Sequence, residues 1–170
     1  MSNLRARGAL DRARHLFLER PTVARKPNAS ATAVWQDGLR CQIAGSGGET
    51  AVTDMPASMG GDGTGPNPGW LLRASMAACA ATAIAMRAAT LGIELRSLSV
   101  AVHSESDARG LVGIDGVSTA LSAMRMSVEI GADSTSREQL CELARWGEAQ
   151  SPVGSTLRDR PPVSLEIFVV

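Results

Sequence analysis

Cys79 lies inside the run GPNPGWLLRASMAACAATAIAMRAATLG, which spans residues 65–92 and carries only two charges, Arg73 and Arg87. A cysteine in such a setting is either a small apolar gap-filler or a nucleophile held on a rigid helix. A nucleophile must ionise. An ordinary thiol is only a few per cent thiolate at neutral pH, and alanine neighbours make ionisation harder. A helix dipole gives little help about three turns from the N-terminus. Arg73 and Arg87 sit six and eight positions away, not at the three or four that share a face. An activating cation must therefore come from another element, and Arg25, Arg40 and Arg158 are the candidates. Leu72, Ser75, Met76, Thr82, Ala83 and Met86 share the Cys79 face by helical spacing. They would line an apolar pocket there, or simply pack. His103 falls on the polar side of its strand pattern and is expected to face solvent.

The elements that position Cys79 are readable from local signals. Asn67 can cap a helix, Pro68 suits its first position and Gly92 supplies its stop. Before it, ATAVWQDGLRCQIAG reads as two strands turning at Asp37-Gly38, and ETAVTD as a third. The Gly- and Pro-rich stretch over residues 55–69 lacks the Gly-Lys-Ser/Thr of a phosphate loop and instead delivers the helix. After Gly92, ELRSLSVAVHSES alternates as a half-buried strand, with Leu98, Val100 and Val102 on one face. A loop around Asp107–Gly110 leads to the strand AMRMSVEIG. Thr135 and Glu138 form a capping-box pattern for the helix that follows. SPVGSTLR reads as a short turn with Ser151 as its cap, and VSLEIFVV as a final strand. Residues 1–29 form an amphipathic helical arm, and 30–170 a single domain, with strands and central helix in 30–92 and a second half in 93–170. The expected class is α+β with mostly antiparallel pairing.

Composition narrows the function classes. The chain has 170 residues, no formal net charge, 44% hydrophobic residues and 3% aromatics. Balanced charge argues against a nucleic-acid or membrane-surface binder, so neither partner is expected. The N-terminus has no continuous apolar core of a secretory signal. Residues 70–91 are long enough to span a bilayer, but alanine dominates and two arginines interrupt them. Three widely spaced cysteines and two histidines predict reduced thiols, a cytoplasmic location, and neither metal nor cofactor. The central helix is apolar almost all round, and about six short strands of one chain cannot cover it. A second copy could, so a homodimer is expected.

GGDGTGPNPGWLLRASMAAC, with Gly92-Ile93, SESDARG and SPVGSTL downstream, resembles the OsmC/Ohr family of bacterial hydroperoxide-resistance proteins. The resemblance covers roughly residues 31–169. It implies an OsmC-like fold, with antiparallel sheets wrapped around a central buried helix in an intertwined homodimer. It also implies reduction of organic hydroperoxides by a helix cysteine, here Cys79. Arg40 is the preferred activating residue, because the family draws its arginine from the N-terminal half. Two positions depart from the pattern. Ser151 stands where a second, resolving cysteine is expected, and Gly69 where the hydroperoxide-resistance branch carries a glutamate. Cys141 lies ten residues before Ser151, too far for disulfide geometry; Cys41 stays open. Without a resolving cysteine, a sulfenic acid on Cys79 needs an external thiol reductant. The alternative is a non-catalytic dimer that binds an apolar small molecule.

Overall fold

The computed structural model describes residues 2–170. Its elements are α1 (Ser2–Glu19), β1 (Ala31–Asp37), β2 (Arg40–Gly45), β3 (Thr50–Thr53), α2 (Pro68–Leu91), β4 (Leu95–Glu105), α3 (Ala108–Leu111), β5 (Ala123–Ala132), α4 (Arg137–Ala149) and α5 (Pro152–Asp159). The chain divides into two compact units, one of residues 8–75 and one of residues 2–7 with 76–170. Mixed helix and antiparallel sheet is the class the sequence predicts.

In the first unit β1, β2 and β3 form an antiparallel sheet in that order. The β1–β2 turn falls at the expected Asp37-Gly38, where the Asp37 carboxylate accepts from the Gly38 amide at 2.8 Å. Cys41 lies mid-strand on β2, in register with Trp35 of β1 and Thr53 of β3. All of β1 is exposed, including Val34 and Trp35.

In the second unit β4 and β5 make a long antiparallel pair. Leu98 opposes Ile130, Val100 opposes Val128 and Val102 opposes Met126. Leu98, Val100, Val128 and Ile130 pack on a core of Ile84 and Ala88 from α2 and Leu143 from α4. The α2 helix is long and apolar enough to cross a membrane by length and composition, yet its Ile84 face is core. Gly92 ends it with φ of +72°, and the Ile93 amide reaches back to the Ala88 carbonyl at 2.9 Å. That left-handed residue is what a C-terminal stop of this kind requires.

Four expectations need correction. The capping box of α4 is Ser136 with Gln139, one residue beyond Thr135 and Glu138. The Thr135 hydroxyl instead donates to the Asp133 carbonyl at 3.4 Å. Residues around Asp107 form the short helix α3, capped by the Asp107 side chain. The SPVGSTLR segment is the eight-residue helix α5 and not a turn. Residues 163–170 pair with no strand and are exposed, Phe168 at 83%. They join neither sheet among the described residues, and an alternating pattern makes a strand only where a neighbouring strand takes up its backbone groups.

Charge is unevenly spread. Residues 1–26 carry seven Lys and Arg against two acidic residues, which leaves ten against fifteen in the remainder. The net neutrality of the whole hides a basic arm of about +5 and an acidic body.

α4 approaches α2 closely at Gly147. A Cβ there would come within 2.9 Å of the Ile84 backbone nitrogen and 3.0 Å of its Cα, besides striking the Ile84 side chain. Replacing Gly147 by Ala gains up to about 1 kcal/mol of helix propensity. Overpacking against immovable backbone costs roughly 1–3 kcal/mol, so the clash wins. We expect Gly147→Ala to melt several degrees below wild type by circular dichroism; an unchanged or higher midpoint would remove this contact from the packing argument.

Candidate functional site

Asn67 caps α2 through Oδ1, which accepts from the Trp70 amide at 2.9 Å. Pro68 occupies the first turn, as its spacing predicts. Along the helix, Ala80, Ala83, Ile84, Ala88 and Ala89 are buried. Ser75, Ala78, Thr82, Ala85 and Met86 form an exposed stripe on another side, Met86 at 45%. Cys79 is part-buried on the shoulder of that stripe, a free thiol. It is neither sealed in the core nor fully exposed.

The expected pocket residues separate. Thr82 and Met86 line a cavity of about 560 Å³, together with Ala85, Ala88, Ala89 and the Ile93–Leu95 segment. Leu72 and Met76 are part-buried, and the Ser75 hydroxyl donates to the Leu72 carbonyl at 2.8 Å. That bond turns Ser75 back onto its own helix.

The three candidate cations differ in what already engages them. Arg158 is committed: it pairs with Glu148 and donates to the Ala149 carbonyl at 3.1 Å and the Ser155 hydroxyl at 3.2 Å. It clamps α5 to the end of α4. Arg25 is exposed at the end of a short 3-10 turn. Arg40 is part-buried, and its Nε is buried without a hydrogen-bond partner among the described residues. A buried N–H without an acceptor is costly, and demands an explanation. Arg87, which the sequence set aside, lies over the Trp146 ring at 4.8 Å from its centroid.

Ser151 is completely buried and caps α5, its hydroxyl accepting from the Gly154 amide at 3.3 Å. The capping role agrees with its reading from sequence, although it caps a helix. Cys141 sits within α4, part-buried, and His103 faces solvent opposite Arg125. No three His, Cys, Asp or Glu side chains converge on a possible ion position among the described residues.

One organising residue escaped the sequence reading. Asp54 is 2% exposed and sits at the centre of the Gly-rich loop. Its carboxylate accepts from the amides of Met55 at 2.7 Å, Asp62 at 3.2 Å and Thr64 at 3.0 Å, and from the Thr64 hydroxyl at 2.9 Å. The Asp54 amide in turn donates to the Pro66 carbonyl at 3.3 Å, just before the Asn67 cap. The Thr64 amide leads in holding its pKa below the ordinary Asp value, against burial, with the Thr64 hydroxyl and the Met55 and Asp62 amides adding to the effect. An Asp followed by a run of glycines was the available signal.

Residues 61–166 match the family model described as OsmC-like protein. Solved structures of similar fold include an OsmC-like protein from Mycoplasma pneumoniae, at 18% identity and TM-score 0.65, covering 79% of this chain and 89% of that one. An organic hydroperoxide resistance protein OsmC from Legionella pneumophila matches at 20% identity and TM-score 0.56, with 79% and 91% covered. The organic hydroperoxide resistance protein OhrB of Bacillus subtilis matches at 22% and 0.52, with 78% and 91% covered. No curated protein matches the chain.

The Asp54 carboxylate yields a pH test. Because its folded-state pKa lies below the unfolded value, its stabilisation is complete above the ordinary Asp range near 3.9 and is lost as pH falls through the folded value. Asp54→Asn keeps the shape but turns an amide toward backbone donors. It should lower stability to urea at pH 7, and the gap from wild type should narrow as pH drops through the carboxylate range. A gap that stays constant with pH would show that the charge of Asp54 does not hold the loop.

Proposed function

The chain belongs to the OsmC-like protein family, and from that premise we propose that it is a thiol-dependent reductase of organic hydroperoxides acting through Cys79. The observation that carries this reading is the place of Cys79 on the helix, part-buried at the edge of an exposed stripe. A rigid helix holds such a thiol, and a substrate can still reach it. The similarity to structures named organic hydroperoxide resistance proteins supports it at the level of fold.

In the proposed step the Cys79 thiolate attacks the terminal oxygen of ROOH. An S–O bond forms, the O–O bond breaks, and the alkoxide takes up a proton to leave as ROH. Sulfur is oxidised to sulfenic acid and the peroxide is reduced. Arg40 is assigned as the stabilising cation, and its unpartnered Nε supports that choice. With serine at position 151, the sulfenic acid is released by an external thiol. One equivalent forms a mixed disulfide with loss of water, and a second returns Cys79 and carries away the disulfide. Three free cysteines accord with a reducing, cytoplasmic setting.

The second reading, an apolar small-molecule binder without catalysis, draws on Gly69 and Ser151, where the chain departs from the residues of the hydroperoxide-resistance branch. Stoichiometric tert-butyl hydroperoxide separates the two. We expect a persistent sulfenic acid that dimedone traps at Cys79, and that excess peroxide drives to the irreversible sulfinic form. Intact mass should show the added oxygen in wild type and none at this position in Cys79→Ala. No mass change at Cys79 under excess peroxide would leave only the binding reading.

We further propose that residues 30–170 act as one domain within a homodimer. The exposed stripe from Ser75 to Met86, the bare face of β1 and the unpaired residues 163–170 support it. The protein should sediment as a dimer at micromolar concentration, and an arginine at Ala78 should break the dimer or cause aggregation through a buried unpaired charge. A wild type that stays monomeric and folded would defeat this part.

A further inference from the structure

The basic arm lies outside residues 61–166, which match the family model, and outside the surfaces assigned above to a second copy. Helical spacing gives α1 an apolar face of Ala6, Ala9, Leu10, Ala13, Leu16 and Phe17. Arg7 and Arg14 run along one border of that face, Arg5 and Arg12 along the other, and Asp11 falls on the far side. Leu10 and Ala13 are part-buried, but the face opens toward its C-terminal end. Leu16 and Phe17 are 40% and 46% exposed, and Leu18 and Val23 beside them 68% and 51%.

The same end carries the charge. Arg12, Arg14, Arg20, Arg25 and Lys26 are all exposed, with Glu19 as the one acid among residues 12–26. None of these five cations takes part in an ion pair among the described residues. Charge cancels over the whole chain, which is why the sequence points away from membranes, but the cancellation is between this arm and an acidic body.

Uncovered apolar side chains bordered by arginines suit an interface that is oily beneath and anionic on top. Arginine stems reach along the apolar side while their heads stay among phosphates. The phosphates of a nucleic acid would meet the cations too, but would leave Leu16, Phe17, Leu18 and Val23 in water. We propose that residues 12–26 are a docking surface for an anionic lipid bilayer, with Leu16 and Phe17 set into the headgroup boundary and the cations on the lipid phosphates. The proposal is independent of what Cys79 does.

Flotation of the full chain with vesicles tests it. Wild type should float with phosphatidylcholine vesicles containing about one-third phosphatidylglycerol, and stay behind with phosphatidylcholine alone. Raising the salt should weaken the attachment. Leu16→Ser with Phe17→Ser keeps every cation, and Arg20→Gln with Arg25→Gln and Lys26→Gln keeps every apolar residue. Each set should weaken vesicle binding roughly tenfold or more. Arg125→Gln, an exposed cation of the body, should bind like wild type. All substituted positions are exposed, and circular dichroism checks that each variant folds. Binding that both arm variants leave unchanged would overturn the proposal. So would a wild type that ignores the vesicles and binds duplex DNA, or one that ignores them and changes its sedimentation on losing Leu16 and Phe17, which would give the face to a second copy.

Discussion

Covering a 24-residue helix that is apolar almost all round is the constraint that the rest of the molecule answers to. One side is closed by the β4–β5 pair and α4, and the fit depends on a missing side chain at Gly147 that lets backbone meet backbone at Ile84. Both ends are fixed by local chemistry, Asn67 at the start and Gly92 at the finish. A further strip, at the C-terminal end, is approached by the arm through Asn3. What remains bare within one chain is the stripe from Ser75 to Met86, with Cys79 at its shoulder. Cys79 thus sits at the margin between packing already complete and packing left open.

Polar groups keep the loops and helix ends in order and stay out of the apolar core. Asp54 gathers three amides and a hydroxyl, so a loop rich in glycine has one shape without any apolar core of its own. Arg158 ties α5 to the last carbonyl groups of α4, and Asp107 pairs with Arg109 beside α3. The surface ion pairs among these contribute little to overall stability. Their effect is geometric, fixing where short helices begin and end.

The legibility of the fold followed the range of the interactions. The β1–β2 turn, the start and stop of α2 and the β4–β5 faces were readable because each depends on residues a few positions apart. The α4 cap slipped by one residue because Thr135 and Ser136 both carry a suitable hydroxyl, and only the neighbouring Asp133 carbonyl decides between them. The α5 helix was read as a turn because the Arg158 bridge to α4, ten residues back, has no local pattern. Asp54 was passed over for the same reason, its partners lying up to ten residues ahead. At the site, the cysteine was conspicuous, since few other polar atoms interrupt α2. The cation proposed for it was not, because arginines look alike until their existing partners are seen: Arg158 is engaged and the Nε of Arg40 is not.

The C-terminal residues 161–170 carry a consequence for the life of the chain in a crowded solution. Val163, Leu165, Ile167, Phe168 and Val169 stand uncovered in one short stretch, a composition prone to add to any open sheet edge. Pro161 and Pro162 precede it, Glu166 interrupts it, and Arg158 and Arg160 lie just upstream. Prolines cannot extend a hydrogen-bonded ladder and charges resist stacking, so these five residues act as gatekeepers. They make the uncovered stretch a poorer addition to another chain's sheet edge than its apolar residues alone would be.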